Sequence, residues 1–194
     1  MDFAAVDRFT IDRRSSTRTC PDCAIPLQTL RVDTGAGIFS VERCERCFGL
    51  FFPVGAVQGF LDASVSPAFT INLHEIMNIN EDRSTFSRPV RYIKCPDCSV
   101  MMNRVNYAAM SGVVVDQCKD HGVWLDNGEL VHLMEWKKAG GALLAEKEKL
   151  AQQGLQRQES RLRFTVPDEA APESNASGDL LAEACSALLR ILFR

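Results

Sequence analysis

Six of the eight cysteines in this 194-residue chain fall into pairs with two residues between the members: Cys20/Cys23, Cys44/Cys47 and Cys95/Cys98. Cys118 stands three before His121, a fourth pair of the same spacing, and Cys185 is alone near the C-terminus. A turn of this kind aims two ligands at one ion, and two such turns complete a tetrahedral shell. Twenty residues separate Cys23 from Cys44 and nineteen separate Cys98 from Cys118, which leaves room for a hairpin that holds the turns together. The spacing predicts two metal sites: Cys20, Cys23, Cys44 and Cys47, then Cys95, Cys98, Cys118 and His121. Zinc is the expected ion, two per chain. With a divalent ion, three thiolates and an imidazole carry about −1, against about −2 for four thiolates, which favours zinc over an iron–sulfur cluster at the second site. At the first site the spacing alone leaves rubredoxin-like iron open.

Shells of four thiolates, or three and an imidazole, leave no position for water, so the sites are read as structural and their binding energy as folding energy. His74 and His132 lie outside the ligand pattern. No nucleophile–base order, phosphate-binding Gly loop or carboxylate pair stands out. The chain is therefore read as a non-enzyme.

Short elements must position these ligands. Leu27–Val32 and Ile38–Glu42 read as strands around the Asp33-Thr-Gly-Ala-Gly37 turn. Met102–Tyr107 and Val113–Val115 read as the corresponding strands of a second copy, in which Cys95-Pro-Asp-Cys98 repeats Cys20-Pro-Asp-Cys23 at an offset of 75. The apolar run Phe48–Val57 is read as cover for the first hairpin, with a short helix over about 54–61. Asp126 and Glu129 have the form of a capping box that starts a helix reaching Ala139.

The fold class predicted is small α+β: two zinc ribbons, each a short antiparallel hairpin with metal-binding turns and a following helix, plus a C-terminal amphipathic helix. Residues 1–19 are read as an N-terminal arm, its start a short strand or arm and its second part a flexible basic lead-in, with 20–61 as ribbon one and 62–90 as a connector. In the connector, Phe69–Met77 is a candidate helix and Asn78–Ser87 a loop. Residues 91–139 form ribbon two, 140–163 a charged helical extension faltering at Gly140-Gly141, 164–178 a disordered linker and 179–194 the amphipathic helix. At 1.5 Å per residue that last helix spans about 24 Å, short of a bilayer core of ~30 Å. It is read as packing on the ribbons, docking on a partner or second copy, or lying in a membrane interface.

The second unit resembles the transcription-factor-IIB-type zinc-finger family of bacteria. The resemblance rests on Cys95-Pro-Asp-Cys98, Cys118-Lys-Asp-His121-Gly-Val-Trp124-Leu-Asp126 and Gly128-Glu-Leu130, with Met102-Asn-Arg-Val-Asn and Ser111-Gly-Val-Val-Val-Asp between them. It implies a zinc-bound ribbon followed by a helix. The first unit fits more loosely, with Phe51-Phe-Pro53 and Gly55-Ala-Val57 in place of Trp124-Leu-Asp126 and Gly128-Glu-Leu130. Ala24 and Ser99 stand where a glycine often follows the second cysteine.

Net charge is −3, with seven basic and seven acidic residues in 1–60 and seven and six in 88–139. Neither unit has the basic excess that phosphate contacts require. A protein partner is therefore expected before nucleic acid, with a regulator that binds nucleic acid as the alternative and a redox or metal-handling protein third. Oligomeric state is left open. The start of the chain lacks a basic segment followed by an apolar core, and the cysteines pair as ligands rather than disulfides, which together point to the cytoplasm.

Overall fold

The computed structural model describes residues 4–7, 9–84, 90–108 and 110–165. The expected 179–194 helix, Cys185, and nearly all of the 164–178 linker lie outside the described residues. Residues up to 151 form one compact unit, and those from 152 onward form a second, whose described part is the second half of a helix.

A short helix α1 (Ala4–Asp7) leads into β1 (Thr10–Thr19), β2 (Pro26–Asp33), β3 (Ile38–Arg43) and β4 (Leu50–Pro53). Helices α2 (Ala56–Ser64) and α3 (Leu73–Ser84) follow, then β5 (Asn103–Asn106), β6 (Val114–Cys118) and β7 (Gly122–Leu125). The chain continues with α4 (Glu129–Lys138) and α5 (Gly141–Thr165). The expected hairpins are β2–β3 and β5–β6, but they are not separate ribbons. Among the described residues all seven strands join in one antiparallel sheet of order β1-β2-β3-β4-β7-β6-β5.

The seam is β4 against β7, with Leu50 opposite Leu125, Phe51 opposite Trp124, Phe52 opposite Val123 and Pro53 opposite Gly122. Phe51 and Trp124 are counterparts in the two repeats, so a local two-fold axis passes between them. One ladder row crosses the whole sheet: Arg14, Thr29, Glu42, Phe51, Trp124, Asp116 and Arg104. Glu42 and Asp116 flank the aromatic pair symmetrically.

Alternation of side chains sends Leu30, Val32, Val41, Leu50, Phe52, Val115 and Leu125 to the opposite face. There they meet Val57, Phe60 and Leu61 of α2 and Leu130 and Leu133 of α4 in the main core. Each such side chain, once fully buried, contributes about 1.5–3 kcal/mol. The two helices are also counterparts. Each starts at a glycine in the left-handed region, Gly55 (φ 75°) and Gly128 (φ 89°), and Lys137 joins α4 to Asp62 of α2 at 2.6 Å.

Three expectations need correction. The basic lead-in is not flexible: β1 continues through Arg13, Arg14 and Arg18, which are paired as Arg13–Asp7, Arg14–Asp12 and Arg18–Glu42. The polar stretch from Asn78 to Ser84 is helical, because Ile76 and Ile79 anchor α3 on Trp136 and Ala139, and the helix starts later than expected, at Leu73. The capping box is only half formed. The Asp126 N–H donates to Glu129 at 2.9 Å, but the Asp126 side chain accepts the Trp124 indole N–H at 3.1 Å and Gly128 is the cap.

Candidate metal centres

The eight predicted ligands converge in two groups. Cys20, Cys23, Cys44 and Cys47 form one, and Cys95, Cys98, Cys118 and His121 the other, each with its ligand atoms within 4.8 Å of one another. The spacing within them can be tested against zinc geometry. A tetrahedron with Zn–S bonds of about 2.3 Å has edges of about 3.8 Å, and an S–N edge of about 3.5 Å. The observed Sγ–Sγ separations are 3.6 Å for Cys20–Cys47 and 3.8 Å for Cys98–Cys118, and Cys118 Sγ lies 3.4 Å from His121 Nδ1. These residues fit two zinc ions, with Nδ1 as the imidazole ligand.

Local backbone geometry explains why the turns hold their sulfurs. In the first, Ala24 N–H donates to the Cys20 carbonyl at 3.0 Å and Cys23 N–H to Cys20 Sγ at 3.3 Å. Ser99 and Cys95, Phe48 and Cys44 repeat the carbonyl contact, and Asp97 and Arg46 N–H groups reach Cys95 and Cys44 Sγ at 3.4 Å. To close in this way Ala24, Phe48 and Ser99 sit in the left-handed region at φ 54°, 60° and 61°. The two positions noted for lacking glycine are therefore strained by about 1–2 kcal/mol each.

Ionisation follows burial and these donors. Burial pushes the Cys20 and Cys95 thiols up to about 11, against N–H donors that favour the thiolate, so a cation is what makes the charged form tenable there. At Cys118 burial also pushes upward, but the Asp120 N–H and the His121 ring overcome it and hold the thiol at about 7. The His121 imidazole is raised, first by its contact with Cys118. Burial lifts Asp116 to about 6, with Asp126 and Asp22 adding to the shift and Arg104 opposing it.

The two centres differ in access. Cys98 is exposed, whereas no ligand of the first site is. They share surroundings, because Cys20, Cys44, Cys95 and Cys118 are buried together with Leu27, Phe51, Ile93, Met102 and Trp124. Sequence reasoning missed a reciprocal contact between the turns. Arg18, before the first turn, bonds Asp97 of the second at 2.5 Å, and Arg91, before the second turn, bonds Asp22 of the first at 2.7 Å. Arg18 also holds buried Glu42 at 2.6 Å and lies 5.8 Å from the Phe51 ring centre. Of the other histidines, His74 Nδ1 is 3.2 Å from the Asn78 amide on α3, and His132 Nε2 is buried 2.9 Å from the Ser111 carbonyl.

A family model described as transcription factor zinc-finger matches residues 94–136, the second ribbon and most of α4. The first site lies outside that match. No curated protein and no solved structure matches the chain. The protein is thus a zinc-ribbon protein with two sites, of which the second resembles this family.

Proposed function

We propose that this is a zinc-stabilised interaction protein that binds another protein through the outer surface of its second ribbon. The observation that carries the reading is a group of exposed apolar side chains on that ribbon: Val90, Tyr92, Val100 and Met101, from 52% to 68% exposed. A bridge between Lys94 and Met101 sets the alternation there, with Ile93 and Met102 turned inward and buried. On the first ribbon the counterparts of Val90, Tyr92 and Met101 are Ser15, Thr17 and Pro26, and Ile25, matching Val100, is half-buried. An exposed apolar group beside a rigid metal-held turn suits a protein contact better than a phosphate backbone. Both zinc ions serve to hold this surface in shape.

Affinity capture with the full chain tests it. The triple variant Tyr92→Ser/Val100→Ser/Met101→Ser is expected to keep two zinc ions and lose the partners captured by the unchanged protein. Unaltered partners would sink the reading. Deleting residues 179–194 in parallel separates this surface from any contact made by the tail.

A transcriptional regulator that binds nucleic acid is the second reading, favoured by the description of the matched family. Against it, Arg13, Arg14, Arg18, Arg43 and Arg91 are each engaged by a carboxylate. It requires a mobility shift with duplex or single strands at low salt that weakens steeply as salt rises. Among the described residues no helix is long and apolar enough to cross a membrane. Reduced thiols suit a cytoplasmic setting, and fractionation would test that placement.

A further inference from the structure

We infer that the two metal centres work as one cooperative unit, latched across the two-fold axis by the reciprocal Arg18–Asp97 and Arg91–Asp22 pairs. This inference is independent of which partner the protein binds. Three observations carry it.

The first is shared burial. Phe51 and Trp124, opposite each other on the seam, pack in one cluster with buried ligands of both sites, so neither centre has a core of its own. Releasing the ligands of one turn takes packing from the other. The second is the placement of the latch. Asp22 and Asp97 are not ligands, but each lies inside a Cys-Pro-Asp-Cys turn and directs its backbone N–H at the leading sulfur of that turn. Each carboxylate is anchored by an arginine belonging to the other repeat. A turn that opens on losing its ion drops the anchor of its neighbour. The third is the reach of Arg18, which binds Asp97 and also Glu42, a carboxylate beside the seam. Half-exposed ion pairs of this kind are individually weak. Here they act on groups already tied to the shared core, so the free energy of one site is felt at the other.

Coupling gives the exposed second site a role. Cys98 is more open to solvent and chelators than Cys23 and Cys47, the partly exposed ligands of the first site. Loss of zinc there would loosen the first centre as well, so the fold would respond to zinc supply over a narrower range than two separate sites allow.

Native mass spectrometry of the full chain, titrated with a chelator such as EDTA, reads the three states directly. The two-zinc form is expected to convert to the metal-free form with the one-zinc form staying a minor species throughout. A one-zinc form reaching half of the protein at mid-titration would overturn the inference. The isosteric double variant Asp22→Asn/Asp97→Asn keeps all eight ligands. It should raise the one-zinc population severalfold, with zinc retained at the first site, and an unchanged distribution would remove the latch. Competition with a zinc-binding dye gives an independent reading. In Cys98→Ser the first site is expected to bind zinc at least tenfold more weakly than in the unchanged protein, and equal affinity would count decisively against coupling.

Discussion

The two repeats share a turn-hairpin-turn-strand-helix path, yet their edges are finished differently. In the first, β1 extends the sheet and brings Arg18 to Glu42. In the second, Asp116 occupies the place of Glu42. It is buried, and its Oδ1 has no hydrogen-bond partner, while β5 carries four exposed residues. The first ribbon is closed by its own strand, and its surface at the metal turn is mostly polar. The second ribbon keeps the family-like Trp124, Asp126 and Glu129, and exposes Val90, Tyr92, Val100 and Met101 around its Cys95–Cys98 turn, whereas the first repeat exposes Phe9, Ile11, Ile38 and Val54. On the reading proposed above, the first half supports the fold and the second carries the contact surface.

The comparison can be broken hardest at the seam. A Cβ on Gly122 would lie 1.9 Å from the Phe52 carbonyl oxygen, and one on Gly49 2.2 Å from the Trp124 ring. Gly122→Ala and Trp124→Ala should each cost about 3–5 kcal/mol in denaturant unfolding with zinc saturating, and destabilise both repeats together. Separate transitions for the two halves would show that the seam is not shared.

Next in size is the contrast between the flanking carboxylates. Glu42→Gln weakens the hold on Arg18 and should cost roughly 1–2 kcal/mol. Asp116→Asn removes a buried charge that has no hydrogen bond to its Oδ1 and only Arg104 nearby to offset it, and should be neutral or gain up to about 1 kcal/mol. Equal losses at the two positions would end the claim that β1 makes the halves unequal. Relief of the turn strain comes after that. Ala24→Gly and Ser99→Gly should each raise stability by up to about 1 kcal/mol, alike in both repeats because the turns are alike. Smallest of all, Val100→Ser should move stability by no more than about 0.5 kcal/mol, since its side chain faces solvent.

Ligands, hairpins and helix order were legible because each depends on local chemistry: paired thiols, alternating apolar residues and Gly-rich turns. What was not legible depends on contacts distant in sequence. Leu50–Pro53 and Gly122–Leu125 are four-residue strands whose apolar character reads equally as loop cover. Only their pairing with each other makes them strands. The arginines of β1 read as a solvated run because Asp97, the second carboxylate bound by Arg18, lies 79 residues away. The cap at α4 was misassigned because Trp124 competes for Asp126, which no spacing rule could foresee.

The four-residue seam has a consequence for the origin of the chain. A protein with a single such repeat would expose a strand bearing a buried-type aromatic and unpaired backbone groups, a surface suited to an identical copy related by a two-fold axis. Fusing two copies turns that association into an intramolecular one, so assembly no longer depends on protein concentration. Once the halves travel together, each is free to change without the other, and the surface of one can specialise while its twin keeps the pair folded.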